Sequence, residues 1–384
     1  MMMRPLLFCF ILPVSALFAQ QQLPRLNSPE VASDGRVTFR FRDANAQKVT
    51  VNIAGATQPL FMVKDADGIW SATSETMRPD LYSYTFNADG VTLLDPSNSA
   101  LVPNLLNPSS VLHVSGSSAQ PWEQTDIPHG EIHHHFYRSA IIGDNRDFFV
   151  YTPPGYNPRA NTRYPVLYLL HGYSDDASAW TAVGHANLIV DSLIAAAQVK
   201  PMIIVMPLGY GEPAIVHPAP GSGSPFSNPG MREKNYSNFR AALIDEVIPM
   251  VEKNYSVTAS RDARAIAGLS MGGSESLLTG LNRLDTFAWV ASFSAGGLGD
   301  DLAVNFPQLS ASANDKLHLL WIACGTEDRL ITPNRNLVQW LKSKDIRVTP
   351  IETPGMHTWM VWRRNLIALT PLLFRDGDQA RQPQ

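Results

Sequence analysis

Residues 265–273 read AIAGLSMGG. A small apolar run leads to Gly268, Ser270 follows two positions on, and Met271, Gly272 and Gly273 close the stretch. Its centre, Gly268-Leu269-Ser270-Met271-Gly272, fits the pattern G-x-S-x-G. The run before it has the character of a buried strand, and SESLLTGL, which follows, suits a helix. A serine held on a sharp strand-to-helix turn needs small neighbours, because bulkier ones would strike the backbone. A helix starting at that serine aims N–H groups and partial positive charge at a developing oxyanion. The strand before the motif is what separates this reading from a Gly/Ser-rich loop without chemistry.

Outward from this stretch, buried strands alternate with helices. RDFFVYTPPGY reads as a strand and turn, and YPVLYLLHGYSDD as an apolar strand ending in His-Gly. LIVDSLIAAAQ has helical spacing, PMIIVMPLGYG is another buried strand, and NFRAALIDEVIPMVEKNY is an amphipathic helix. LHLLWIACGTED and IRVTPIET are further strands separated by the helical NRNLVQWLKS. Such alternation gives an α/β fold with a parallel, doubly wound sheet.

In folds with this kind of elbow the chain order is serine, acid, histidine. Two histidines follow Ser270. His318 sits within the apolar KLHLLWIA, whereas His357 lies in TPGMHTWMVW, a loop after the last strand, where Pro354 and Gly355 favour a turn. His357 is therefore read as the base. Glu327 and Asp328 follow a strand's C-terminal end, and Asp328 is favoured over Glu327 as the acid that holds the imidazole tautomer. The oxyanion donors are expected to be the Met271 N–H and the Tyr173 N–H, the latter from the loop LLHGYSDD. His171 is read as shaping that loop.

The first part of the chain has another grammar. In RVTFRF, KVTVNI, LYSYTF and VTLL, alternating apolar positions separated by Asp/Asn/Gly turns predict short antiparallel strands over residues 36–95, a small β-sandwich. Trp70 is expected in its core. Residues 96–128, rich in Pro, Ser and Asn, read as a connection. The expected domains are 23–118, the sandwich, and 119–376, the doubly wound domain. Ahead of them, MMMRPLLFCFILPVSALFAQQQ has the layout of a secretory signal peptide over residues 1–19, which predicts a secreted or periplasmic protein. Removing it leaves Cys324 as the sole cysteine and no membrane-spanning stretch.

The chain has 384 residues, 45% of them hydrophobic, enough for large cores. Thirty Lys and Arg against 34 Asp and Glu, a net charge of −4, lack the basic surplus of a nucleic-acid binder. His133, His134 and His135 are consecutive, and neighbours on a strand face opposite ways, so no metal site is expected. No cofactor is expected either. Trp180 and Trp359, near the oxyanion loop and His357, are candidates to line an aromatic acyl pocket. The Gly/Pro/Ser-rich GYGEPAIVHPAPGSGSPFSNPG is expected to border the substrate.

Taken together, RDFFVYTPPGY, YPVLYLLHGYSDD, Trp180, NFRAALIDEVIPMVEKNY, AIAGLSMGG, CGTEDRL and GMHTWMVWRRNL resemble carbohydrate esterase family 1, the esterase D/feruloyl esterase group of α/β-hydrolases, over about 129–375. The sandwich resembles the early-set immunoglobulin-like domains related to carbohydrate-binding module family 48. The first resemblance implies a triad of Ser270, Asp328 and His357 and a serine esterase. It implies a plant cell-wall polysaccharide ester or a small ester as substrate, with feruloyl esters of arabinoxylan favoured. Acetylated xylan is the second expectation and a siderophore ester of enterochelin type the third. A carbohydrate-binding protein with an inactive hydrolase domain is the non-enzymatic alternative. The oligomeric state is left open.

Overall fold

A computed structural model describes residues 24–217 and 223–375. The signal-peptide reading, and the centre of the Gly/Pro/Ser-rich loop, lie outside the described residues.

The alternating segments form two antiparallel sheets. In one, Glu30–Val31, Val37–Arg42, Ile69–Thr73 and Val63–Lys64 lie side by side. In the other, Leu60–Phe61, Val49–Ile53, Asp80–Ala88, Ser109–Val114 and Leu101–Val102 follow in order, with Val91–Leu93 also on Asp80–Ala88. Val37, Phe39 and Phe41 face inward at every second position and meet Val49, Val51, Tyr84, Phe86 and Leu112. Trp70 is buried in this core, as expected, and its indole N–H donates to the Asp43 carbonyl at 2.8 Å.

The second part is an eight-stranded sheet. Its strands are β1 (Glu131–Arg138), β2 (Asn145–Thr152), β3 (Val166–Leu170), β4 (Ile203–Pro207), β5 (Arg264–Gly268), β6 (Trp289–Phe293), β7 (Leu319–Gly325) and β8 (Thr349–Thr353). They lie in the order β1-β2-β4-β3-β5-β6-β7-β8. The pairs β1–β2 and β2–β4 are antiparallel and the rest are parallel. Helices cover both faces, which is why β3 to β6 are almost wholly buried and read as nearly continuous apolar runs. Alternate residues of β3 divide between the faces. Leu167 and Leu169 pack with helices α1 (Ala186–Ala195) and α5 (Trp359–Leu369). Val166, Tyr168 and Leu170 pack with α2 (Pro229–Ala242), α3 (Met271–Gly280) and α4 (Ile331–Ser343).

Register positions the loops that matter. Leu170 of β3 stands opposite Gly268 of β5, so the segments beginning at His171 and Leu269 leave the sheet side by side. Gly325 of β7 stands opposite Thr353 of β8, which releases 326–328 and 354–357 together. The sandwich is joined to this edge. Asp80 receives Arg363 and Arg364 of α5, and the connection at Asn104 and Leu105 bonds to Ser174 and Asp175.

Candidate active site

Ser270 sits between β5 and α3 with φ +52° and ψ −113°. Such a backbone is costly for a residue with a side chain, and its neighbours hold it there. The Ser270 N–H donates to the Phe293 carbonyl at 2.9 Å, and the Ser270 carbonyl accepts from Gly296 at 3.0 Å and Ser274 at 3.2 Å. Small neighbours are required, as the sequence pattern implied. A Cβ on Gly268 would run into the Gly272 carbonyl, and one on Gly272 into the His171 carbonyl.

Ser270 Oγ lies 3.0 Å from His357 Nε2, and His357 Nδ1 lies 2.8 Å from Asp328 Oδ2. If Nδ1 carries the proton, it donates to the carboxylate and Nε2 is free to accept from the serine. The Asp328 side chain is fully buried and that of His357 is 18% exposed. Burial alone would raise the Asp328 carboxyl. The His357 hydrogen bond and charge and the Leu330 N–H, 2.8 Å from Oδ1, outweigh it and hold the carboxyl below its ordinary value. Trp362 packs edge-on against the imidazole at 4.8 Å. Glu327 is exposed and points elsewhere, its carboxylate accepting from the Thr326 hydroxyl. His318 is distant in role as well, bonded to Asp262 and lying on Trp289.

The loop after β3 lies against the elbow. A Cβ on Gly172 would stand 3.5 Å from Ser270 Cβ. Met271 opens α3, so its N–H is one that helix geometry leaves without an intrahelical acceptor. His171 is buried, with its Nδ1 2.8 Å from the Gly172 carbonyl and its Nε2 accepting from the Gly209 N–H at 2.8 Å. That arrangement suits a neutral ring, and burial pushes its pKa down to about 4. It braces the loop.

Trp180 requires a correction. Its side chain is completely buried, its indole N–H donates to the Leu170 carbonyl at 2.9 Å, and it packs on Phe293 and Trp359. It is a core residue and cannot line an acyl pocket. Trp359 packs between Trp180 and Trp362 and faces a small cavity shared with Leu81 and Tyr82 of the sandwich. A ring from the segment after β4, the segment expected to border the substrate, lies against Gly297, next to the glycine that flanks Ser270. A Cβ on Gly296 would be 3.6 Å from Ser270 Oγ, and one on the adjacent Gly297 would meet the Phe226 ring at 2.7 Å. Phe226 packs on Tyr173 with ring centroids 4.8 Å apart. The Tyr173 hydroxyl donates to the Ile215 carbonyl and accepts from Ser224.

Two buried acids were not singled out by sequence. Glu275, one turn into α3, is fully buried; its Oε1 accepts from Asn235 at 3.0 Å and its Oε2 has no partner among the described residues. Burial raises its pKa well above the ordinary value, against the opposing Asn235 hydrogen bond. Asp175, beside Gly172, is pushed up to about 7 by burial, against the opposing Asn104 hydrogen bond. The three histidines of β1 divide between its faces, His134 stacking on Phe149 and His135 on Phe148. Among the described residues no group of His, Cys, Asp and Glu could hold a metal ion.

A family model described as putative esterase matches residues 139–373, more than half of the chain. A protein of Xylanibacter ruminicola named endo-1,4-beta-xylanase/feruloyl esterase is 29% identical over 363 residues, 92% of this chain. The chain spans only 46% of that relative's length. A ferulic acid esterase structure from Anaeromyces mucronatus is 24% identical with a TM-score of 0.56, covering 66% of this chain and 93% of the other. The enterobactin esterase of Shigella flexneri is 21% identical with a TM-score of 0.64, covering 87% of this chain and 92% of the other. These structures share the α/β-hydrolase fold seen here.

Proposed function

The chain belongs to the putative esterase family; on that premise we propose that it is a carboxylic ester hydrolase, an exported serine esterase releasing hydroxycinnamates such as ferulate from plant cell-wall arabinoxylan. The observation that carries the chemistry is the line of hydrogen bonds from Ser270 through His357 to Asp328.

In this reading Ser270 Oγ attacks the ester carbonyl carbon as His357 Nε2 takes its proton. The carbonyl oxygen, now carrying the charge, accepts from the Met271 and Tyr173 N–H groups. Asp328 stabilises the imidazolium. As the tetrahedral centre collapses, the C–O bond to the alcohol breaks and His357 gives its proton to the departing oxygen. Water, activated by His357, then attacks the acyl-serine, releasing the acid and restoring the Ser270 hydroxyl.

Because His357 protonates the leaving group, the alcohol belongs on the His357 side of Ser270. There a groove of about 670 Å³ opens between the sandwich and the 354–361 segment, lined by Gln58, Arg78, Tyr82, Glu327 and Arg364 among others. Apolar side chains, among them Ile53, Leu60, Met77, Met356 and Met360, line it as well, and walls that offer both apolar faces and a few polar groups suit a sugar carrier. The acyl group belongs on the other side, against Gly296, Gly297, Phe226 and Tyr173. An aromatic wall there supports a hydroxycinnamoyl over an acetyl group. Export rests on the sequence of residues 1–19.

Product release from methyl ferulate and from acetylated xylan, measured side by side with Ser270→Ala as control, tests the proposal. Ferulate release by the wild type alone is the expected result. Acetate without ferulate would replace the substrate class and keep the triad. Neither product from a folded protein would point to siderophore esters or an inactive hydrolase.

A further inference from the structure

The oxyanion loop is not held by the hydrolase domain alone. Asn104 lies in the connection that leaves the sandwich strand Leu101–Val102. Its side-chain amide donates to Ser174 Oγ at 3.0 Å and to Asp175 Oδ1 at 3.0 Å. Its amide oxygen accepts from the Leu106 and Asn107 N–H groups at 3.1 and 2.8 Å, so both ends of the side chain are engaged. The neighbouring Leu105 N–H donates to the Ser174 carbonyl at 2.7 Å. Ser174 needs such support, since its φ is +72°. From the hydrolase side, Tyr210 donates to the Asp175 carbonyl at 2.6 Å.

Tyr173 directly precedes this clamped pair. A donor N–H serves an oxyanion only if it is already aimed where charge develops. We propose that Asn104 is a positioning residue for the oxyanion hole, tying the loop that carries the Tyr173 N–H to the connection leaving the β-sandwich. It touches no reacting atom. The sandwich, through this residue, sets the catalytic rate constant as well as binding any carrier. The inference rests on the reading of Ser270 as nucleophile with Tyr173 as an oxyanion donor.

The contact is a donor–acceptor pair, so it can be broken and then rebuilt in reverse. Because burial already lifts Asp175 to about 7 and two adjacent carboxyls can share a proton, kcat is read at pH 9 as well as pH 7, so that Asn104→Asp sets two carboxylates against each other. Adding Asp175→Asn restores a donor, now on the other side, while the carboxylate introduced at position 104 can still accept from Ser174, Leu106 and Asn107. With 4-nitrophenyl acetate, too small to use the acyl wall or the carrier groove, Asn104→Asp is expected to lower kcat about 10- to 100-fold with KM nearly unchanged, as for a displaced donor. The swapped double variant should recover most of that loss. Thermal unfolding of each variant is followed in parallel. Wild-type kcat in Asn104→Asp overturns the proposal. So does a double variant that regains the wild-type Tm but not kcat, because the contact would then serve stability alone. If the wild type neither hydrolyses the ester nor labels with a fluorophosphonate at Ser270, the reading beneath it falls and the inference falls with it.

Discussion

Asp80 of the sandwich and Arg363 of α5 form an ion pair of 2.7 Å in which neither side chain is more than 1% exposed. Arg364 reaches the other carboxylate oxygen from the rim, and Arg363 also donates to the Val183 carbonyl at 3.1 Å. Because α5 begins at Trp359, directly after the His357 loop, the contact couples the sandwich to the segment that presents the imidazole.

Removing Asp80 strands a buried guanidinium, whose charge burial already disfavours. Asp80→Ala is expected to destabilise the protein by about 3–5 kcal/mol, the usual cost of breaking one side of a buried pair. Chemical denaturation followed by tryptophan fluorescence reads this directly. A loss below about 1 kcal/mol, the range of exposed pairs, would mean that water reaches Arg363.

Asp328 and Glu327 are adjacent in sequence, and only Asp328 bonds His357 Nδ1. Asp328→Asn would favour the wrong imidazole tautomer and is expected to reduce kcat about 10⁴-fold without unfolding the protein. Glu327→Gln should leave kcat for a small ester near the wild-type value, since Glu327 faces the groove. Steady-state kinetics of the two variants distinguish these outcomes. Comparable losses in both would remove Asp328 from its assigned role.

The difference between these two acids shows what the sequence carried. Ser270 and His357 were legible because an elbow has a compositional signature and chain order restricts the base. Asp328 was favoured over Glu327 only by its distance beyond the strand, and it is Asp328 that reaches His357 Nδ1. Trp180 was a candidate for lining a pocket because a tryptophan soon after the loop following β3 reads alike whether it faces substrate or core, and the structure places it in the core. Phe226 lies in the Gly/Pro/Ser-rich segment expected to border the substrate, but nothing in that composition singled out the ring itself. Sandwich strands within 36–95 were legible from period-two alternation, but Leu101–Val102 and Ser109–Val114 lie in the Pro/Ser/Asn-rich stretch read as a connection, and Asp80–Arg363 and Asn104–Asp175 join residues far apart in sequence, about which periodicity carries no information.

Glu275 makes stability depend on pH in a direction that can be stated. Its pKa is raised on folding, so between its unfolded value of about 4.5 and its higher folded value the native state binds more protons than the unfolded state. Its contribution is fully present below about pH 4.5 and declines as pH rises through that window. Glu275→Gln removes the proton while keeping an amide oxygen able to accept from Asn235. Relative to wild type, the variant should gain stability as pH rises above about 4.5 until it passes the raised folded value, as measured by urea unfolding at a series of pH values. A constant difference across that range would show that Glu275 does not titrate differently in the two states.

Acyl preference is the last consequence, and Phe226 is where it can be read. The ring lies against Gly297 and packs on Tyr173, so in the proposed reading it meets an acyl group that extends past Gly296 and Gly297. An acetyl group is too short to reach it. Phe226→Ala should therefore lower kcat/KM for methyl ferulate about 10- to 100-fold, the scale of losing one apolar wall of a pocket, and leave 4-nitrophenyl acetate nearly unaffected. The ratio of the two kcat/KM values isolates the effect from changes in folding or in the triad, which both substrates share. Equal losses on both esters would assign Phe226 to support of the Tyr173 loop. An unchanged ratio with unchanged rates would place the hydroxycinnamoyl ring elsewhere and withdraw the aromatic wall as the reason for preferring feruloyl over acetyl esters.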